Sequence, residues 1–149
     1  MMAMTSGTSA DSPEVLILAG SESDRDIVAK AEKVLQAANV AYRFEIASAH
    51  RNPDRVAELA GRAAEDGFRV VIAAAGLAAA LPGVVAAHTT LPVIGLPVGA
   101  GPLRGADALL AIVMMPPGVP VATVGIDNGA NAAHLALRIL GRTSKPPGA

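Results

Sequence analysis

The chain is predicted to form one three-layer α/β/α domain, a doubly wound sheet of five parallel strands with helices on both faces. Three observations predict this class. Five short apolar runs alternate with five segments that have the spacing of amphipathic helices. The central runs are apolar throughout, as is typical of parallel strands buried on both faces. The length of 149 residues suits a single domain that buries its own core.

Each predicted strand is a short, largely apolar run bounded by Gly, Pro or polar residues. The five runs are Val15–Ala19, Tyr42–Ala47, Val70–Ala74, Pro92–Leu96 and Val121–Val124. The predicted helices begin at capping residues, at prolines or after small-residue turns. They run from Ser23 or Asp24 to about Ala38, from Asn52-Pro53 to Gly67, and over Ala78–Ala87, Ala106–Met114 and Asn128–Leu140. Residues 1–13 and 143–149 are predicted to be tails of a domain that spans residues 14–142.

Composition excludes several classes of function. The net charge is -1 and aromatic residues make up 2% of the chain, so nucleic-acid binding is not expected. The absence of cysteine excludes thiolate catalysis and disulfides, and the three histidines lack metal-ligand spacing. The stretch Val70–Leu103 has no charged residue, but its glycines and prolines favour strand, helix and strand over a membrane span. Residues 1–12 lack the apolar segment of a signal peptide, so a cytoplasmic location is expected.

The apolar content predicts self-association. Hydrophobic residues make up 52% of the chain, and the mean hydropathy is +0.44. A small domain has too little interior for so much apolar surface, and burial between subunits is the simplest place for the excess. The sequence therefore predicts a homo-oligomer.

Two polar clusters follow the first two predicted strands, Gly20-Ser-Glu-Ser-Asp24 and Ser48-Ala-His-Arg-Asn-Pro53. Right-handed crossovers bring every strand-to-helix loop to one edge of the sheet, where such folds bind ligands. A helix N-terminus and Arg51 suit a phosphate, and His50 can donate or accept a proton near neutral pH. The sequence thus predicts a site for a small phosphorylated molecule, although a plain helix cap and a surface loop remain the alternative interpretations.

A third segment, Gly76-Leu-Ala-Ala-Ala-Leu-Pro-Gly83, lies at the same predicted edge after the third strand. Its small side chains would let the backbone approach a planar ligand closely. Tight packing of helix against sheet is an equally good explanation of the same composition. This segment is therefore a candidate wall of the site.

In this order, the clusters resemble the PurE family of purine biosynthesis, which comprises N5-carboxyaminoimidazole ribonucleotide mutase and aminoimidazole ribonucleotide carboxylase. The resemblance covers nearly the whole chain from Val15 to Leu140. Six stretches carry it: Gly20-Ser-Glu-Ser-Asp24, Ser48-Ala-His-Arg-Asn-Pro53, Ala75-Gly76 with Leu81-Pro-Gly83, Leu91-Pro-Val-Ile-Gly-Leu-Pro97, Met115-Pro-Pro-Gly-Val-Pro-Val121 and Asn131-Ala-Ala133. Each stretch alone is a weak signal, and six in order are a strong one.

The resemblance implies a flavodoxin-like fold, an octamer with the nucleotide bound between subunits, and neither cofactor nor metal. It also implies the substrate-binding residues Gly20, Ser21, Asp24, Ser48, Ala49, Arg51, Ala75, Gly76, Ala79, Ala80 and Leu81. Among these, the hydroxyls of Ser21 and Ser48, together with Asp24 and Arg51, would hold ribose and phosphate. His50 would be the general acid/base, and the Gly76 loop would surround the aminoimidazole and the migrating carboxylate.

One departure from the family pattern concerns the subtype. The mutase pattern usually has a histidine where this chain has Ala80, and animal-type carboxylases also lack that histidine. The leading hypothesis is the mutase, which moves a carboxyl group by decarboxylation and recarboxylation. A carboxylase using free CO2 and a non-catalytic nucleotide-binding relative are the alternatives.

Overall fold

A computed structural model describes residues 5–6, 12–143 and 146–148 of the chain. Within these residues the strands are β1 (Thr5–Ser6), β2 (Val15–Ala19), β3 (Tyr42–Ile46), β4 (Val70–Gly76), β5 (Val93–Val98) and β6 (Ala122–Thr123). The helices are α1 (Arg25–Ala37), α2 (Pro53–Arg62), α3 (Leu81–His88), α4 (Ala106–Val113) and α5 (Gly129–Ile139). No helix in this part of the chain is long and apolar enough to cross a membrane.

The sheet has the strand order β1-β3-β2-β4-β5-β6. The five strands from β2 to β6 are parallel to one another, and Ile17 of the central β2 lies between Phe44 and Ile72. Their order reverses between β2 and β4, which is the switch point of a flavodoxin-like doubly wound sheet. The predicted fold class is confirmed.

The strand β1 is an addition to the predicted sheet. Thr5 and Ser6 pair antiparallel with Phe44 and Arg43 of β3, although the sequence analysis assigned residues 1–13 to a tail. The other parts of the predicted tails at residues 1–4, 7–11, 144–145 and 149 lie outside the described residues. Two polar residues without apolar alternation give no local signal for a strand, because the pairing is made by the exposed edge of β3.

Two apolar layers sandwich the parallel strands. One layer contains Ile17, Phe44 and Ile72 and packs against α1 and α5. The other contains Leu16 and Leu18 and packs against the helices α2, α3 and α4. Since successive side chains of a strand point to opposite faces, a strand covered on both faces must be apolar at every position. That requirement explains the continuous apolar runs of the sequence.

Two helix boundaries differ from the predicted ones. Helix α2 ends at Arg62, and a series of turns follows as far as Gly67, whose φ of +93° ends the segment. Helix α3 begins at Leu81 rather than Ala78, with Pro82 in its first turn. The three residues before it form a turn in which the amide of Ala79 donates to the carbonyl of Gly76 at 3.1 Å. That turn becomes part of the site.

Candidate active site

A pocket of about 410 Å³ opens at the carboxyl ends of β2, β3 and β4. It therefore lies at the switch point of the sheet, where doubly wound folds bind ligands. Its volume is in the range of roughly 300–1,000 Å³ that is usual for small-molecule sites. Every candidate site residue of the sequence analysis lines this one pocket.

The loop between β2 and α1 contributes Gly20, Ser21 and Asp24 to the pocket. A 3-10 turn over Glu22–Asp24 precedes α1, and the Ser21 hydroxyl accepts from the amide and the hydroxyl of Ser23 at 3.3 and 3.0 Å. Asp24 occupies the N-cap position of α1, as the sequence analysis allowed, but its side chain makes no capping hydrogen bond. The helix cap interpretation therefore does not explain this carboxylate.

Asp24 is buried, with 5% of its surface exposed. Burial raises the pKa of its carboxyl group, and a hydrogen bond from the Ser21 backbone opposes that shift. A buried carboxylate that lines a polar pocket is typical of a ligand-binding group.

The loop between β3 and α2 contributes Ser48, Ala49, His50 and Arg51. The amide of Arg51 donates to the Ser48 hydroxyl at 3.2 Å, and the amide of Asn52 donates to the carbonyl of Ser48 at 2.8 Å. The side chains of His50 and Arg51 are exposed at the pocket. Neither makes a hydrogen bond or an ion pair to another part of the described chain. Both can therefore turn to a ligand without breaking a protein contact.

The segment after β4 forms an apolar wall. From it Ala75, Gly76, Ala79, Ala80 and Leu81 line the pocket. A Cβ atom on Gly76 would lie 3.3 Å from both the Ala100 side chain and the Val98 carbonyl, so the close approach of the end of β5 and of the loop after it favours glycine there. The first turn of α3 has no side-chain cap, so no capping side chain accepts from the backbone N–H groups at this end of the helix.

Four further residues line the pocket, Ser23, Leu77, Ala78 and Ala100. The first three lie in segments that the sequence analysis assigned to the site without singling them out, and it did not name Ala100. Ala100 comes from the loop after β5, which the right-handed crossover rule had placed at the correct edge. Leu77 adopts a φ of +54°, a left-handed conformation that is unfavourable for leucine. Nothing in the local sequence signals this conformation, because it is imposed by the turn between β4 and α3.

The pocket's ionisable side chains are Asp24, His50 and Arg51. In the described residues no group of three or more His, Cys, Asp or Glu side chains could hold a metal ion. The arrangement offers one cation for an anionic group, hydroxyls and a carboxylate for hydrogen bonds, and one imidazole for proton transfer.

Comparison with known proteins identifies the family. The model of the AIR carboxylase family matches residues 14–146. The chain belongs to this family. It is 55% identical over 128 residues to the N5-carboxyaminoimidazole ribonucleotide mutase of Pyrococcus abyssi, a match that covers 86% of this chain and 74% of that protein. The resemblance to PurE proteins is thereby confirmed.

Two further comparisons extend this result. The chain is 51% identical over 134 residues to the phosphoribosylaminoimidazole carboxylase of Candida albicans, covering 90% of this chain and 24% of that protein. Its structure superimposes on the crystal structure of Treponema denticola PurE with a TM-score of 0.77 and 32% identity, covering 87% and 80% of the two chains. Family members with both names therefore share this fold unit.

Proposed function

We propose that this protein converts N5-carboxyaminoimidazole ribonucleotide to 4-carboxy-5-aminoimidazole ribonucleotide, an isomerisation in purine biosynthesis. The observation that carries the proposal is the content of the pocket: one imidazole and one guanidinium beside a wall of alanine and glycine. The name of the Pyrococcus abyssi relative supports the choice of this reaction.

Substrate binding is assigned to the polar side of the pocket. Arg51 pairs with the phosphate through two parallel N–H donors, which a guanidinium provides and an ammonium does not. The hydroxyls of Ser21 and Ser48 and the carboxylate of Asp24 hydrogen-bond the ribose and phosphate. The Gly76 segment packs against the aminoimidazole, since Ala79 and Ala80 leave room for a planar ring.

The reaction requires a balanced exchange of protons. Loss of CO2 from the N5 carbamate leaves a nitrogen that takes up one proton, and attack of C4 on the CO2 then requires C4 to lose one proton. A single imidazole can deliver the first proton and collect the second, so no net proton is consumed. His50 is assigned this role because the other histidines, His88 and His134, are not among the residues that line the pocket.

The apolar wall has a separate task. CO2 released in the first half-reaction must stay beside C4 until the second half-reaction, and water must not take its place. A wall of small apolar side chains lets the ring pack closely and excludes water from its face. Ala80 widens this wall at the position where the mutase pattern usually has a histidine.

Assembly and location belong to the same proposal. Leu103, Leu110, Val113 and Met114 expose large apolar side chains on and beside α4, which supports burial of this face between subunits. We infer an octamer, and light scattering at micromolar concentration should then give eight times the 14.9 kDa chain mass. A stable monomer would contradict this part. A cytoplasmic location is proposed because a phosphorylated intermediate does not cross membranes unaided.

The decisive experiment offers each substrate separately to the purified protein and follows formation of 4-carboxy-5-aminoimidazole ribonucleotide. We expect turnover of N5-carboxyaminoimidazole ribonucleotide, and only slow conversion of aminoimidazole ribonucleotide with bicarbonate. Equal or faster use of bicarbonate would assign the protein as the carboxylase instead. Binding of the nucleotide without turnover of either substrate would identify a non-catalytic relative.

A further inference from the structure

An ion pair between a buried carboxylate and a partly exposed guanidinium joins the two elements that flank the His50 loop, residues 47–52. Glu45 is the last residue but one of β3 and is 1% exposed. The Nη2 and Nε atoms of Arg55, the third residue of α2, lie 2.5 and 3.2 Å from Glu45 Oε1. Arg55 also donates from Nη1 to Glu58 one turn further along α2, at 3.0 Å.

Stabilisation is a weak explanation for this pair. The buried Glu45 carboxylate loses its hydration, and an ion pair formed at that cost is often no more stable than apolar side chains of similar volume. Helix α2 is already anchored in the core by Val56, Leu59 and Ala60, which are buried. What the pair adds to these contacts is geometry, since hydrogen bonds between charged groups fix a direction that apolar packing does not.

The pair also joins the two flanking elements directly, whereas the hydrogen bonds from the Arg51 and Asn52 amides to Ser48 lie within the loop. Asn52, the N-cap residue of α2, makes no side-chain capping bond. The entry to the loop is held by the amide of Ala47, which donates to the carbonyl of Ala19 at 2.9 Å. The two ionic partners are ten residues apart in the chain and enclose the loop from both sides. The backbone that carries His50 and Arg51 is therefore placed by the way in which β3 and α2 are joined.

We propose that the Glu45–Arg55 pair is a positioning device that fixes the start of α2 against the end of β3 and so aims His50 and Arg51 into the pocket. The catalytic role of the positioned loop rests on the proposed function. The positioning of the loop by the ion pair does not rest on it, so the two statements can fail separately.

The test replaces both charges by apolar side chains, in the double variant Glu45→Leu with Arg55→Met. No unpaired buried charge remains, so we expect a Tm equal to or above that of the unaltered protein. Turnover should nevertheless fall by about tenfold or more in kcat/KM, because small displacements of reacting groups are costly in rate. Both a lower kcat and a higher KM are expected, since the pair aims the proton-transfer group and the phosphate group together.

Two variants serve as controls. Glu45→Gln keeps an oxygen that accepts from Arg55, and it should retain most of the activity. Arg69→Met breaks another ion pair between distant parts of the chain, in which Arg69 Nη1 lies 3.1 Å from Glu14 Oε2. Arg69 directly precedes β4 and is not a pocket residue, so this variant should leave turnover unchanged.

A readout independent of activity is cleavage by trypsin after Arg51, followed by mass spectrometry of the native protein. Looser attachment of the loop should raise the cleavage rate at Arg51 severalfold in the double variant and leave it unchanged in Arg69→Met. If the unaltered protein proves inactive while this difference is seen, the proposed function fails and the positioning role stands.

Unchanged kcat/KM together with unchanged cleavage at Arg51 in a folded double variant would overturn the proposal. If circular dichroism shows that the double variant does not fold, Arg55→Lys carries the test. Lysine keeps a cation for Glu45 but loses the second contact, which Arg55 makes through Nε. We therefore expect kcat to fall severalfold, although the apolar contacts of α2 are unchanged. A kcat equal to that of the unaltered protein would then reject the positioning role.

Discussion

The pocket has two walls of opposite construction. The polar wall comes from the loops after β2 and β3 and contains Ser21, Ser23, Asp24, Ser48, His50 and Arg51. The apolar wall comes from the segment after β4 and the loop after β5, and it contains Ala75, Gly76, Leu77, Ala78, Ala79, Ala80, Leu81 and Ala100. Both walls lie at the same edge of one sheet, so their difference is one of side chains and not of fold.

The two walls have different tasks: the polar wall supplies the groups that bind and react, and the apolar wall encloses the space. Side chains of the polar wall can bind an anion or move a proton, and His50 and Arg51 contribute little to packing because they are exposed. The apolar wall shapes the space, and its cost is a strained backbone at Leu77. Changes at His50 and Arg51 should therefore alter turnover far more than stability, and changes in the apolar wall should alter leakage and stability more than the chemical step.

The largest expected effect is that of His50→Asn. Loss of the general acid/base should lower kcat by about a hundredfold or more. The Tm should stay unchanged, because the exposed imidazole makes no hydrogen bond in the described part of the chain. The matched control is His88→Asn, at the exposed end of α3 away from the pocket, which should keep normal turnover. A near-normal kcat in His50→Asn would reject the assignment.

Arg51→Lys should affect binding more than chemistry. Lysine keeps the positive charge but cannot form the parallel pair of hydrogen bonds to a phosphate, so KM should rise by about tenfold while kcat changes little. Steady-state kinetics checks this split. The same exchange at Arg62, exposed at the end of α2, provides the control. A lower kcat with unchanged KM would show that Arg51 acts on the reacting atoms and not on the phosphate.

Asp24→Asn tests whether the polar wall carries a cost in stability. Burial raises the pKa of Asp24, so the folded protein holds this proton more tightly than the unfolded chain does. Stability is then full below the unfolded pKa and falls as the pH rises from that value through the folded pKa. The variant should have the same Tm as the unaltered protein at about pH 3 and a higher Tm at about pH 7. Its KM should rise severalfold.

Melting curves measured across this pH range test the expected pH dependence of the Tm difference. A Tm difference that is the same at every pH would mean that the Asp24 carboxyl has no shifted titration. A lower Tm of the variant at neutral pH would mean that the carboxylate stabilises the fold and carries no cost.

Ala80→His tests the containment role of the apolar wall. We expect the unaltered protein to be active and to leak some aminoimidazole ribonucleotide, because water can enter beside Ala80. A histidine there should fill the space and hydrogen-bond the carboxylate, a contribution of about 1–3 kcal/mol in a buried site. The measured ratio of leaked to isomerised product should fall severalfold. Complete inactivity that Ala80→His restores would show instead that the missing histidine is the proton carrier.

The smallest effect is expected for Leu77→Gly. Relief of the left-handed backbone is worth about 1–2 kcal/mol, and the extra chain entropy of glycine offsets about 0.5–1 kcal/mol of it. The free energy of unfolding should therefore rise by about 0.5–1 kcal/mol in urea denaturation. Leu103→Gly is the control, since Leu103 is similarly exposed but has no positive φ, and it should lower stability. Equal changes in the free energy of unfolding at both positions would show that the Leu77 backbone is not strained.

Much of the site could be predicted because local patterns place it. The apolar runs that become β2 and β4, and the polar residues directly after β2 and β3, are readable from the printed sequence. The crossover rule then brings Ser21, Ser48 and His50 to one edge, and the structure confirms that they line one pocket. Their roles in binding and catalysis stay predictions that the variants above test.

Other features had no local signal. Glu45 stands within an alternating strand and suggests a solvent-facing position, yet it is buried and pairs with Arg55. Asp127 shows the same limit: it has a φ of +61°, and its carboxylate accepts from the amide of Gly99 at 2.7 Å, twenty-eight residues away. Each contact joins two separate elements, over ten residues for Glu45 and Arg55 and over twenty-eight for Gly99 and Asp127.

The sequence by itself determined the class of fold, the edge of the sheet where the pocket lies and the residues placed there. These follow from periodicity, from turn residues and from the handedness of crossovers, which act over a few residues at a time. Only the tertiary structure decided the Glu45–Arg55 pair, the left-handed Leu77 and the pairing of Thr5 with Phe44. The physical reason is that such contacts join separate elements, and their partners exist only once the sheet and helices have packed.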